Sequence, residues 1–153
     1  MSLTPLTALS PVDGRYAARC ADLREIFSEQ GLIRARVRVE IAWLHALAGE
    51  RRITELRGVT PGDLAVTQQI IDGFDAADAA TVKAFERETN HDVKAVEYLI
   101  KQKLGAHPAW QSRLEFVHFA CTSEDINNLS YALMCQEARS RVLLPRIDAL
   151  LGA

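Results

Sequence analysis

Three polar segments interrupt a chain that is otherwise rich in apolar residues. They read SPVDGRY at residues 10–16, ETNHDVKAVEY at residues 88–98 and HFACTSEDINNLS at residues 118–130. The second and third place hydroxyl, amide and imidazole groups immediately before a helical pattern. Because the first N–H groups of a helix are unpaired and its start is partly positive, such positions suit phosphate or carboxylate. The three segments are therefore candidates for one anion-binding site.

Each candidate side chain also has a plain structural interpretation. Arg15 could clamp an anion with two parallel hydrogen bonds, or it could be a surface arginine. Thr89 and Thr122 both fit a Ser/Thr-x-x-Asp/Glu capping box, which many ordinary helices carry. His91 fits a solvated first-turn residue, and His118 fits a half-buried histidine with a satisfied ring. The residue types alone leave both interpretations open.

Composition limits the classes of partner. The chain has 153 residues, 48% hydrophobic and 25% charged, which is ordinary for a soluble globular protein. A net charge of -2 argues against binding nucleic acid through phosphate electrostatics. Three cysteines form no CxxC, so neither a zinc site nor a disulfide framework is expected, and the thiols favour a cytoplasmic location. No apolar run is long enough for a membrane span.

Hydrophobic periodicity predicts an all-α chain. Gly31 is expected to end a helix in a left-handed C-cap, and Thr60-Pro61 to start another. The arginines of IRARVR, residues 33–38, are expected to form a solvated helix face. The predicted helices cover about residues 18–30, 32–49, 61–72 and 76–88. Thr89-Asn90-His91-Asp92 is expected to precede a further helix that Gly105 stops, and Thr122-Ser123-Glu124-Asp125 to precede the last one.

The last predicted helix is apolar on more than one side and continues to the chain end, with Pro145 bending it. A helix of this kind expects neighbours on several faces. We expect residues 1–120 to form an N-terminal helical domain. Residues 121–153 are then expected to be the first part of a helical bundle, in a chain that is itself a fragment.

In their order and spacing, SPVDGRY, ERETNHDVKAVEY and EFVHFACTSEDINNLS resemble the bacterial adenylosuccinate lyase family of the fumarase/aspartase superfamily. The resemblance extends from about Leu6 to the chain end. It implies a mostly helical fold and a homotetramer whose active sites each draw on three chains. It also implies β-elimination of adenylosuccinate to AMP and fumarate, and of the carboxamide ribotide SAICAR to AICAR and fumarate, without cofactor or metal.

The resemblance further implies roles for individual residues. Thr122 and Ser123 would bind a carboxylate of the succinyl group, with His118 in a supporting role. The other implied substrate-binding residues are Asn90, His91 and Asp92 along the pocket, and Arg15 and Tyr16 at the nucleotide end, with Arg15 on the phosphate.

The family's general-acid histidine and catalytic serine belong to an RTHGQ-like segment and an SSxMPxKxN-like loop. Neither pattern occurs in these 153 residues. No catalytic residue is therefore assigned, and the chain alone is expected to be inactive. Two alternatives stay open: a non-catalytic helical module that binds a nucleotide, and a helical oligomerisation module.

Overall fold

The computed structural model describes residues 4–153, in which regular structure is helical and no strand occurs. This confirms the all-α prediction. Two short 3-10 turns, Thr54–Leu56 and Leu114–Phe116, and a π-helical segment, Arg139–Leu143, accompany the α-helices. The α-helices are α1 Ala21–Phe27, α2 Glu29–Gly49, α3 Pro61–Asp72, α4 Ala76–Thr89, α5 Asp92–Gly105, α6 Ser123–Ala138 and α7 Leu144–Leu151.

The first helical region divides at Ser28 rather than at Gly31, so the predicted glycine C-cap is wrong. Ser28 has extended backbone angles, and its hydroxyl accepts the N–H of Gly31 at 3.2 Å as the N-cap of α2. Gly31 lies in the first turn of α2, where a Cβ would stand 2.3 Å from the carbonyl oxygen of Ile26. The glycine is needed because two helices meet closely there, not because the backbone turns left-handed.

Helix α2 runs through the middle of the fold and contacts α1, α3, α4, α5 and α6. The predicted stripe of Ile33, Val37, Ile41 and Leu44 is buried. It packs against Val96, Leu99, Ile100 and Leu104 of α5 and against Trp110. Full burial of one such aliphatic side chain contributes about 1.5–3 kcal/mol, so this cluster supplies much of the stability of the helical frame.

One arginine of the IRARVR segment lies inside the protein, which corrects the predicted solvated face. Arg36 is 4% exposed, whereas Arg34 and Arg38 remain partly open to solvent. The side of α2 that carries Arg36 is covered by α5 and α6. A buried guanidinium is tolerated only when its N–H groups are paired, and here a carboxylate and an amide oxygen pair with it.

Helices α6 and α7 form one long arm with an irregular middle. Helix α7 begins directly after the π-helical segment Arg139–Leu143 and has Pro145 in its first turn, so the helical turn widens just before the proline. A bend at Pro145 stays a prediction. Several large apolar side chains of this arm are exposed, among them Leu129, Tyr131, Leu150 and Leu151. Within residues 4–153, no helix is long and apolar enough to cross a membrane.

Candidate functional site

The start of α5 is capped by a histidine, which corrects the predicted capping box at Thr89. Thr89 is the last residue of α4, and its hydroxyl donates to the carbonyl of Phe85 at 2.9 Å. Asn90 follows in the left-handed conformation, with φ of 50°. The next residue, His91, then takes the extended N-cap position, and its Nδ1 accepts the N–H of Lys94 at 3.0 Å.

This hydrogen bond fixes the proton of the neutral His91 ring. Because Nδ1 acts as an acceptor, the ring hydrogen must be on Nε2. His91 therefore presents an N–H donor at the start of α5.

The start of α6 carries the predicted capping box. Thr122 is the N-cap, and its hydroxyl accepts the N–H of Asp125. The Asp125 carboxylate accepts the backbone N–H of Thr122 at 2.7 Å and its hydroxyl at 2.8 Å. These hydrogen bonds from Thr122 lower the pKa of Asp125. Thr122 thus uses its hydroxyl inside the cap, and the hydroxyl of Ser123, the first helical residue, is not part of it.

The two helix starts meet at their polar side chains. The Oγ of Ser123 lies 3.5 Å from Nε2 of His91, although the residues are 32 positions apart in the chain. Two helix N-termini, one hydroxyl and one imidazole N–H therefore converge on one place. This arrangement suits an anionic oxygen group.

Arg36 of α2 forms hydrogen bonds with both α5 and α6 near their starts. Its Nη2 donates to Asp92 at 2.6 Å, at the first position of α5, and its Nε donates to the Asn127 side chain of α6 at 2.9 Å. Burial acts to raise the pKa of Asp92, but the Arg36 charge and the N–H of Val93 outweigh it, so this pKa is lowered. One guanidinium of α2 thus links the first residue of α5 to α6.

His118 lies just before α6 in a strained turn and is paired with a buried acid. Its φ is 63°, and its Nδ1 lies 2.6 Å from Oε1 of Glu40. Glu40 belongs to α2, one turn after Arg36, and is 1% exposed. Burial raises the pKa of Glu40, and the hydrogen bond and charge of His118 offset part of that rise.

Arg15 and Tyr16 are not brought to the helix starts in the single chain. They lie in the irregular arm before α1, where the Arg15 guanidinium stands 4.8 Å from the centre of the Tyr16 ring. Hydrogen bonds near them are local, such as Gly14 N–H to the carbonyl of Ser10. Within residues 4–153, no hydrogen bond or ion pair links either residue to His91 or Ser123.

A groove of about 900 Å³ opens beside the candidate site, between α2, α3 and α6. Its lining is mainly apolar and includes Trp43, Ile126, Leu129 and Leu133. Neither His91 nor Ser123 lines it. The converging donors, and not this larger groove, mark the candidate site for an anion. In residues 4–153, no cluster of histidine, cysteine and acidic side chains could hold a metal ion.

Comparison with known proteins shows the family of the chain and the proteins to which it is similar. Residues 14–153 match the protein family described as lyase. The chain belongs to this lyase family. It is 51% identical to the adenylosuccinate lyase of Escherichia coli K12 over 95% of the chain and 32% of that protein. It is 51% identical to the adenylosuccinate lyase of Vibrio cholerae and 43% identical to that of Legionella pneumophila strain Corby, over 100% of the chain and 34% of each.

This member of the lyase family therefore spans about a third of the length of the curated relatives it matches. Two of its polar residues near the site, Arg36 and Glu40, were not recognised as candidates in the sequence. Both are charged residues inside the apolar pattern of α2, spaced four apart, so they share one helix face. A charged residue among the apolar residues of a buried helix indicates that its side chain is paired with a polar group inside the protein.

Proposed function

We propose that the protein cleaves adenylosuccinate to AMP and fumarate, and SAICAR to AICAR and fumarate, by β-elimination. The observation that carries this proposal is the meeting of Ser123 and His91 across two helix starts, 3.5 Å apart. It is supported by the 51% identity to proteins named adenylosuccinate lyase, which extends over nearly the whole chain.

The reaction needs fixed donors at a carboxylate. A base takes the proton from the carbon beside that carboxylate, the C–N bond breaks, and an acid protonates the departing nitrogen. The intermediate carries extra negative charge on the carboxylate, and preorganised donors stabilise it more than they stabilise the substrate. The Ser123 hydroxyl, the His91 Nε2–H and the free N–H groups at the start of α6 would supply those donors.

Each of the other predicted residues has its own role in this proposal. Thr122 would act mainly by holding the start of α6, because its hydroxyl is bonded to Asp125. Asp92 would act through Arg36, and Asn90 would shape the pocket beside His91. Arg15, with Tyr16 beside it, would bind the nucleotide end, with Arg15 on the phosphate. Both side chains are exposed, so they would be accessible to a site built with other chain segments or other subunits.

The acid and base of the reaction would come from residues outside these 153. We further propose a cytoplasmic homotetramer that needs no cofactor, with residues 1–120 as its N-terminal domain and residues 121–153 entering its central bundle. The exposed apolar side chains of α6 and α7 support burial of this arm in an assembly.

A chimera tests the proposal directly. Residues of this chain replace the aligned 145 residues of the Escherichia coli lyase, and fumarate release from adenylosuccinate is measured. We expect release by the chimera and none by the 153-residue chain alone. The matched control is the same chimera with Ser123→Ala. A chimera that folds and assembles without releasing fumarate would instead favour the non-catalytic module, either nucleotide-binding or oligomerising.

A further inference from the structure

Glu40 is a buried acid whose side chain is only half satisfied. Its Oε1 is bonded to His118, while its Oε2 is inaccessible to solvent and has no hydrogen-bond partner among residues 4–153. Burial of a carboxylate oxygen without a partner is costly. A well-packed apolar residue would avoid that cost, so packing alone does not explain an acid at this position.

The loop that carries His118 is built to hold the ring against Glu40. His118 and Ala120 both have positive φ, 63° and 58°, which is strained for residues other than glycine. The indole N–H of Trp43 donates to the carbonyl of Phe119 at 2.8 Å, and the N–H of Cys121 donates to the carbonyl of His118. The loop leads directly into Thr122, the N-cap of α6.

Other titratable groups face this pair from each neighbouring element. Glu97 of α5 adds negative charge near Glu40, and Cys121 of the loop lies in the field of the same carboxylate. Asp125 of α6 interacts with His118. Of these groups the imidazole is the one within hydrogen-bond distance of Glu40, at 2.6 Å. Because an ionised carboxylate only accepts hydrogen bonds, Nδ1 must then carry the hydrogen.

We infer that Glu40 is a positioning residue that keeps the ring proton of His118 on Nδ1 and leaves its Nε2 as a hydrogen-bond acceptor. This Nε2 makes no hydrogen bond within residues 4–153 and is not buried. His91 has the opposite arrangement, with an accepting Nδ1 and a donating Nε2–H. The two histidines therefore recognise different groups: His91 an anionic oxygen, and His118 a hydroxyl or N–H of the ligand.

The assignment of ligand groups rests on the proposed function, whereas the proton positions do not. In adenylosuccinate, His91 would face a carboxylate, and His118 would face a ribose hydroxyl or the amine that links the two halves. An accepting Nε2 next to a carboxylate would leave two acceptors facing each other, which the arrangement avoids.

Nitrogen NMR of the histidine side chains tests the inference in the protein labelled with ¹⁵N at its imidazoles. At neutral pH we expect the proton of His118 on Nδ1 and the proton of His91 on Nε2. In Glu40→Leu, the preference of His118 for Nδ1–H should be lost, while His91 serves as the unchanged internal control. A proton on Nε2 of His118 in the unsubstituted protein would overturn the inference, even if the variant does not fold.

Kinetics of the complete enzyme separate this inference from the proposed function. Glu40→Leu should lower kcat/KM on the order of tenfold, the lower end of the loss seen when partners of metal-bound histidines are removed. An active lyase with Nε2–H at His118 contradicts the inference and leaves the function standing. A protein with Nδ1–H at His118 and no lyase activity contradicts the function and leaves the proton assignment standing.

Discussion

The guanidinium of Arg36 lies 2.6 Å from the carboxylate of Asp92, and the two side chains differ greatly in exposure, at 5% and 48%. The same guanidinium reaches Asn127, so a residue of α2 bonds to both α5 and α6. The pair therefore links the hydrophobic frame to the place where Ser123 meets His91.

The difference in exposure predicts which partner is costlier to remove. Asp92→Ala leaves a buried arginine without its anion, and we expect the free energy of unfolding to fall by about 3 kcal/mol, the low end for a broken buried pair. Arg36→Met leaves Asp92 half exposed to water, so its loss of stability should be smaller. Denaturant unfolding of both variants measures the difference, and equal losses would show that burial of Arg36 does not govern the pair.

Substitutions at the start of α6 should separate binding of charge from capping. Ser123→Ala in the complete enzyme should reduce turnover by roughly 10²–10³, because a donor to the developing negative charge is lost, with little change in melting temperature. Thr122→Ala is the matched comparison and should cost about 0.5–2 kcal/mol of stability through the lost cap. Turnover left intact by Ser123→Ala would rule out its assignment to the carboxylate.

The irregular arm offers a test of the nucleotide end. Arg15 stands over the exposed ring of Tyr16, and such a contact contributes about 0.5–1 kcal/mol. Arg15→Ala should therefore weaken nucleotide binding in the complete enzyme while the melting temperature hardly moves. Calorimetric titration with AMP, beside a thermal melt, measures both. Parallel losses of affinity and melting temperature would indicate a structural role instead.

The close packing of the first turn of α2 against the end of α1 can be tested with two glycines of the same helix. Gly31→Ala places a Cβ 2.3 Å from the carbonyl of Ile26, so we expect a loss of about 1–3 kcal/mol through overpacking. Gly49→Ala meets no atom within 4 Å and should be neutral or stabilise the protein by about 0.4–1 kcal/mol. If Gly31→Ala were as well tolerated as Gly49→Ala, the close helix contact would be refuted.

Two buried acids should give stability of opposite pH dependence. Burial acts to raise the pKa of Glu97, but Lys94 and Lys101 outweigh it, so this pKa lies below 4.5. Its contribution is present above pH 4.5 and is lost as pH falls through the lowered value. Burial raises the pKa of Glu40 above 4.5, so its contribution is present below pH 4.5 and is lost as pH rises through the raised value.

Unfolding free energies between pH 3 and pH 8 measure this difference in two variants. Relative to the unsubstituted protein, Glu97→Gln should lose most stability near neutral pH and little in acid. Glu40→Gln should show the reverse trend: its stability relative to the unsubstituted protein should be lowest in acid and should rise toward neutral pH. The same trend in both variants would mean that one of the two pKa shifts has the wrong sign.

The sequence predicted the helices well where an apolar stripe or a proline marked them. The stripe of α2, the start of α3 at Thr60-Pro61 and the cap of α6 at Thr122 are all present. These features depend on residues close together in the chain, so local pattern is sufficient to find them.

Predictions failed where residue type and spacing fit more than one structure. Thr89 has the spacing of a capping residue, but the left-handed turn at Asn90 gives the cap to His91. Arg36 looks solvated until α5 and α6 cover it, and Gly31 looks like a helix end until Ile26 approaches it. For Arg36 the deciding contact is far away in the chain. For Thr89 and Gly31 a nearby residue decides, through backbone geometry that residue type does not reveal.

Helix α2 carries Arg36 and Glu40 four residues apart, which places them about 6 Å from each other along its axis. Arg36 governs the start of α5, and Glu40 governs the loop that leads into α6. A small rotation or shift of α2 along its axis would therefore move the start of α5 and the loop before α6 together. Core substitutions far from any ligand, at Val37 or Ile41 for instance, would then change ligand affinity before they caused unfolding.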